Sequence, residues 1–114
     1  MQRTTHQSQS TYNTLTVLFD EDGFLTSPEP WSRELSQVIA YMYDLGPMNN
    51  DHWKVIEFLR DHYTEFEFLP AMRRVCRVCG LKKHAVQGLF GGCMNAWRIA
   101  GLPNPGPEAL AYMD

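Results

Sequence analysis

The sequence predicts a mainly α fold: a small orthogonal helical bundle of about five helices with an N-terminal β-hairpin. Three observations predict it. Apolar residues recur at three- and four-residue spacing along two long segments, about 30–43 and 50–66. Helix-stopping residues, Gly46-Pro47, Gly80 and Gly101, punctuate the periodic stretches. One short stretch, Thr14 to Leu25, reads as strand, turn, strand, because Val17 and Phe19 lead into Asp20-Glu21-Asp22-Gly23 and Phe24-Leu25 lead out.

A lone hairpin is marginal in water, so its apolar side must pack on the helices. The first helix covers about Pro30 to Tyr43, with Trp31, Leu35, Val38, Ile39 and Met42 on one stripe. The second starts near Asn50 or Asp51, both good N-caps, and runs to about Phe66. Its stripe is Trp53, Ile56, Leu59, Tyr63 and Phe66, widened by Val55 and Phe58, with Glu57, Asp61, Glu65 and Glu67 on much of the other side. Pro70 suits the first turn of a third helix, Ala71 to Cys79, closed by Gly80. A weak fourth helix spans about Lys82 to Gln87 and a fifth about Gly92 to Ala100.

The 114 residues suffice for one core and not two. Residues 1–13 read as a flexible polar tail, 14–107 as one domain with a C-terminal arm from residue 102, and 108–114 as an extension. With 44% hydrophobic and 12% aromatic residues the chain is of the globular class and not the disordered one. No apolar run approaches the roughly 20 residues that span a bilayer. The first ten residues lack the apolar centre of a secretory signal, and three cysteines are an odd count. The expectation is a cytoplasmic protein with reduced thiols.

The net charge of -3 is unevenly distributed. Residues 1–70 hold eleven acids and four bases, whereas residues 71–114 hold six bases and two acids. The bases are Arg73, Arg74, Arg77, Lys82, Lys83 and Arg98, and no acid lies between Ala71 and Pro107. Such a segment suits an anionic partner, and a solvated helix face is the plain alternative.

Cys76-Arg-Val-Cys79 places two thiols on one face of a helix. They sit at its C-terminal end, where the dipole opposes a thiolate, so core packing is the first reading and redox or persulfide use the second. Cys93 follows Gly91-Gly92 and opens the last helix, where free N–H groups favour a thiolate, making it the sharper candidate thiol. A gap-filling role under the arm is its alternative. His6, His52, His62 and His84 are scattered, with His52 expected at the surface or as a cap. Metal ligation by Cys76 and Cys79 is the third reading, needing Cys93 and His84 to complete a set of four; with no paired acid and base and no glycine-rich phosphate loop, no cofactor and no metal are expected. A helix-turn-helix formed by the second and third helices would present Arg73, Arg74 and Arg77 to nucleic acid, against the acids of the second helix and a sequence pI near 5.7.

Five motifs stand in one order: Phe19-Asp-Glu-Asp-Gly-Phe-Leu25, Trp31-Ser-Arg-Glu34, Asp51-His-Trp-Lys-Val-Ile-Glu-Phe-Leu-Arg60, Pro70-Ala-Met-Arg73 and Arg98-Ile-Ala-Gly-Leu-Pro-Asn-Pro105. Together they resemble the DsrC/TusE family of sulfur-relay proteins over roughly residues 17 to 107. The resemblance implies a small helical bundle with an N-terminal hairpin. It also implies an arm whose terminal cysteine carries sulfur as a persulfide or trisulfide, in some members with a second cysteine in the last helix. Those two positions fall near Glu108 and on Trp97, and the usual lysine between the arm's prolines is Asn104. By resemblance, the partners are DsrE/TusD-type sulfurtransferases, a siroheme sulfite reductase gamma-subunit assembly, or the tRNA 2-thiouridylase of tRNA thiolation. The expected role is protein–protein docking that is regulatory and non-enzymatic. The alternative roles are an active persulfide carrier or sulfurtransferase using Cys93, and a nucleic-acid regulator.

Overall fold

The computed structural model describes residues 19–26 and 31–113. Among these residues six helices follow in order: α1 (Arg33–Met42), α2 (Asn50–Phe66), α3 (Met72–Val78), α4 (Ala85–Phe90), α5 (Cys93–Ile99) and α6 (Pro107–Met113). The architecture is mainly helical, as the pattern predicts. Of the hairpin, Phe19 and Leu25 form one antiparallel bridge, and its first strand at 14–18 lies outside the described residues. Asp20 shapes the turn, its Oδ1 accepting from the backbone N–H groups of Asp22 and Phe24, both at 2.9 Å.

Helix α5 is the centre of the bundle. Met94, Ala96, Trp97 and Ile99 of its seven residues are buried, and it packs against α1, α2, α4 and α6. A helix apolar on most sides has to be enclosed by others. Helix α2 is the long outer support: it packs also on α3 and α4, and its Val55, Ile56 and Leu59 are buried.

Local chemistry explains the boundaries. Ser32 caps α1 by accepting from the Leu35 N–H at 3.0 Å. The cap of α2 is Asn49, one residue before the predicted ones, and it forms a capping box with His52. His52 is buried and not at the surface; with its proton on Nε2 it accepts the Asn49 N–H on Nδ1 at 3.1 Å and donates to the Leu89 carbonyl at 2.9 Å. It thereby ties α2 to α4. Helix α3 ends at Gly80 (φ +71°), with the Leu81 N–H returning to the Cys76 carbonyl at 2.8 Å.

Several expectations need correction. The stripe on α1 is rotated: Ser36, Ile39 and Ala40 face inward, whereas Val38 and Met42 are 53% and 60% exposed. The small Ser36 and Ala40 permit close helix approach, and Ser36 is satisfied in place by the Trp31 Nε1–H at 2.5 Å. On α2, Phe66 is likewise 48% exposed instead of core. Helix α4 lies three residues later than predicted, because His84 takes a left-handed conformation (φ +67°) that helix cannot include. Helix α6 is an element that the apolar pattern does not predict.

Candidate functional site: the arm and the cleft beneath it

The arm leaves α5 through a locked corner. Gly101 has φ +74°, and the Trp31 indole lies against it so closely that a Cβ would overlap Trp31 Cδ1. The Arg60 guanidinium stacks 4.1 Å over the Trp31 ring and donates to the Ala100 carbonyl at 2.8 Å, satisfying a helix-end acceptor. Burial in this stack holds Arg60 below the ordinary guanidinium range, with Asp61 opposing the shift.

Beyond the corner, successive arm residues are tied down. The buried Trp97 donates its indole N–H to the Pro103 carbonyl at 2.7 Å. Asn104 Oδ1 accepts from the Gly106 N–H at 2.8 Å, which turns its Nδ2 towards Asp20 Oδ2 at 3.2 Å and Asp22 Oδ2 at 3.1 Å. Where the resemblance implies a lysine between the prolines, an uncharged amide bridges two carboxylates. Arg98 reinforces the same turn: it donates through Nε to the Asp22 carbonyl at 2.9 Å, and its Cζ lies 4.7 Å from the Phe24 ring centroid. Arg98 thus serves the fold, unlike the other five bases of its segment.

Beneath the arm is a cleft of about 940 Å³. The end of α2 and the following loop form one wall with Tyr63, Glu67 and Phe68, and the start of α3 adds Met72 and Arg73. Cys93, Trp97, the Pro103-Asn104-Pro105 segment and Glu108 form the other. Tyr63 meets Trp97 edge-on, with ring centroids 5.9 Å apart. Three positions that sequence singles out separately, Cys93, Trp97 and Glu108, therefore border one space. Tyr63 and Phe68 come from some thirty residues away, and spacing along the chain gives no signal for them.

Cys76 and Cys79 lie elsewhere. Cys76 is buried, and Cys79 points its sulfur at the Lys54 carbonyl at 3.7 Å. Burial first, and then Cys76, push the Cys79 thiol above its ordinary range. Less thiolate at a given pH means slower attack. With limiting iodoacetamide at mildly alkaline pH, Cys79 is expected to alkylate several-fold more slowly than a free-cysteine peptide, as read by mass mapping, and Cys76 to lag because it is buried from the reagent. Alkylation of Cys79 at the peptide's rate contradicts this.

Arg73, Arg74, Arg77, Lys82 and Lys83 are all exposed, and none is in an ion pair among the described residues. The turn between α2 and α3 is short enough for a helix-turn-helix, yet Glu57, Asp61, Glu65 and Glu67 stand exposed along α2. A phosphate backbone laid on α3 would meet them.

The family described as DsrC-like protein matches residues 11–107. This chain belongs to the DsrC/TusE family. It is 32% identical over 102 residues to the sulfurtransferase TusE homolog of Haemophilus influenzae, covering 82% of this chain and 93% of that protein. It is also 32% identical over 100 residues to the dissimilatory-type sulfite reductase gamma subunit of Nitratidesulfovibrio vulgaris, covering 86% and 95%. The oxidized gamma subunit of dissimilatory sulfite reductase (DsrC) from Archaeoglobus fulgidus is similar in structure, with a TM-score of 0.67 and 32% identity over 77% of this chain and 88% of that one. The DsrC/TusE family is one of sulfur relay, and the match spans both the bundle and the arm. Among the described residues no helix is long and apolar enough to cross a membrane.

Proposed function

We propose that this DsrC/TusE-family protein docks on sulfur-transfer partners in a regulatory role and does not carry sulfur on its arm. One observation carries the reading: Trp97 and Glu108, at the two positions where the resemblance implies cysteines, border the same cleft under an intact arm. Neither an indole nor a carboxylate can form a persulfide. Docking needs the bundle surface and the proline-stiffened arm, whose low ordering cost does not depend on a thiol. The partners are sulfurtransferases of the DsrE/TusD kind, a sulfite reductase, or the tRNA 2-thiolation machinery, engaged through the arm and the exposed bases Arg73, Arg74, Arg77, Lys82 and Lys83.

The test is a mass measurement after exposure to a protein persulfide donor, paired with titration against a DsrE/TusD-type sulfurtransferase. The wild-type protein is expected to bind with its mass unchanged. The Glu108→Cys variant is expected to gain the mass of one sulfur atom at position 108. Absence of binding to every one of these partner classes removes the docking role.

A second reading rests on the position of Cys93, which borders the same cleft. Its thiolate would attack the outer sulfur of a donor persulfide, breaking the S–S bond and releasing the donor as a thiolate. A sulfur adduct mapped to Cys93 in the wild-type protein, and lost in Cys93→Ser, makes the chain an active carrier.

A further inference from the structure

The outer side of α2 and α3 carries three parallel rows of different chemistry. Glu57, Asp61 and Glu65 recur every four residues and form an exposed acidic row along α2. One residue round the helix runs an aromatic row, Phe58, His62 and Phe66. The His62 ring lies 6.0 Å from Phe58, 4.7 Å from Phe66 and 5.3 Å from Phe68. Beyond this row lies α3, with Arg74 and Arg77 exposed beside Val78. Phe66 and Phe68 are 48% and 58% exposed with ring centroids 5.7 Å apart, more apolar surface in one place than scattered side chains explain.

His62 marks the middle of the patch. Burial and the Arg74 charge hold it below the ordinary imidazole range, while Glu65 acts in the opposite sense. Charges of both signs therefore reach one ring from the two flanks. The ring stays neutral at neutral pH, and its Nε2 has no hydrogen-bond partner among the described residues. None of Asp61, Glu65, Arg74 and Arg77 is in an ion pair among the described residues.

We infer that this patch is an interface between two copies of the chain. A two-fold axis parallel to α2 lays aromatic row on aromatic row and sets each copy's acidic row against the other's α3. An isologous contact requires this kind of self-complementarity. A nucleic acid, or a protein face of one sign, would meet its own charge on one flank; a second copy meets opposite charge on both. Phe66 and Phe68 supply the apolar centre, and the charges set the register. The pairing shares Phe68 with the cleft and Arg74 and Arg77 with the proposed docking surface, but it is read by self-association of the chain alone, so its failure is distinct from failure of the proposed function.

Sedimentation velocity over a concentration series tests it. The wild-type protein is expected to form a dimer that weakens as salt is raised. Glu65→Arg and Arg74→Glu are each expected to weaken self-association by about tenfold or more, and an equimolar mixture of the two to dimerise again, because both flanks are then complementary. Phe68→Asp is expected to abolish the dimer while circular dichroism stays that of the wild type. A protein monomeric at every concentration, a dimer indifferent to both reversals, or a mixture that does not recover overturns the inference.

Discussion

Replacing Trp97 by alanine is expected to lower stability by about 3–5 kcal/mol, the range for emptying a buried tryptophan site. The indole is 1% exposed at the centre of the bundle, so its removal opens a cavity between α5, α2 and the arm. A domain of this size has about 5–15 kcal/mol in total, so the variant stands near the edge of folding. Trp97→Phe keeps most of the ring and loses the N–H bond to Pro103, which costs about 1 kcal/mol. Urea titrations at unchanged slope separate the two terms. A loss below about 1 kcal/mol for the alanine variant would show that the arm does not rest on Trp97.

The second large effect lies at the corner. Gly101→Ala meets two penalties, a left-handed backbone at φ +74° and overlap with the Trp31 ring. Trp31 cannot step aside easily, since Ser36 holds its N–H and Arg60 covers its face. The expected loss is about 2–4 kcal/mol, of which about 1–2 is backbone. Gly80→Ala is the control: it has nearly the same φ, +71°, and nothing within 4 Å of the added methyl. It should lose the backbone part alone, and equal losses at the two sites would mean that the Trp31 ring yields freely.

Much of the fold was legible because it is written in local chemistry. Helices α2, α3 and α5 follow from periodicity, capping residues and Gly80 and Gly101. The burial on α1 was not, because its inward face uses Ser36 and Ala40, small residues that hydrophobicity does not flag. Helix α4 starts only after Lys82-Lys83-His84, because the exposed His84 takes a left-handed φ of +67°, which the helix-forming character of this stretch does not announce. Helix α6 had a usable signal in Pro107 at the first helical position followed by Glu108, which an apolar-period search passes over. The candidate site was half legible. Motif resemblance pointed to Trp97 and Glu108, while the cleft that joins them with Cys93 depends on Tyr63 and Phe68, set by how α2 packs on α5. The Trp31–Arg60 lock is a cation–π stack, and no sequence spacing announces one.

The clasp of Arg98 and Asn104 on the Asp20–Phe24 turn spans 76 to 84 residues of chain. That turn finds these partners only after α5 and the arm have been synthesised. Emerging from the ribosome, it must wait unsecured for several seconds at ordinary translation speeds of about 5–20 residues per second. Assembly of this end of the molecule therefore follows release of the arm from the exit tunnel, and a truncation before Arg98 leaves the turn without its anchor.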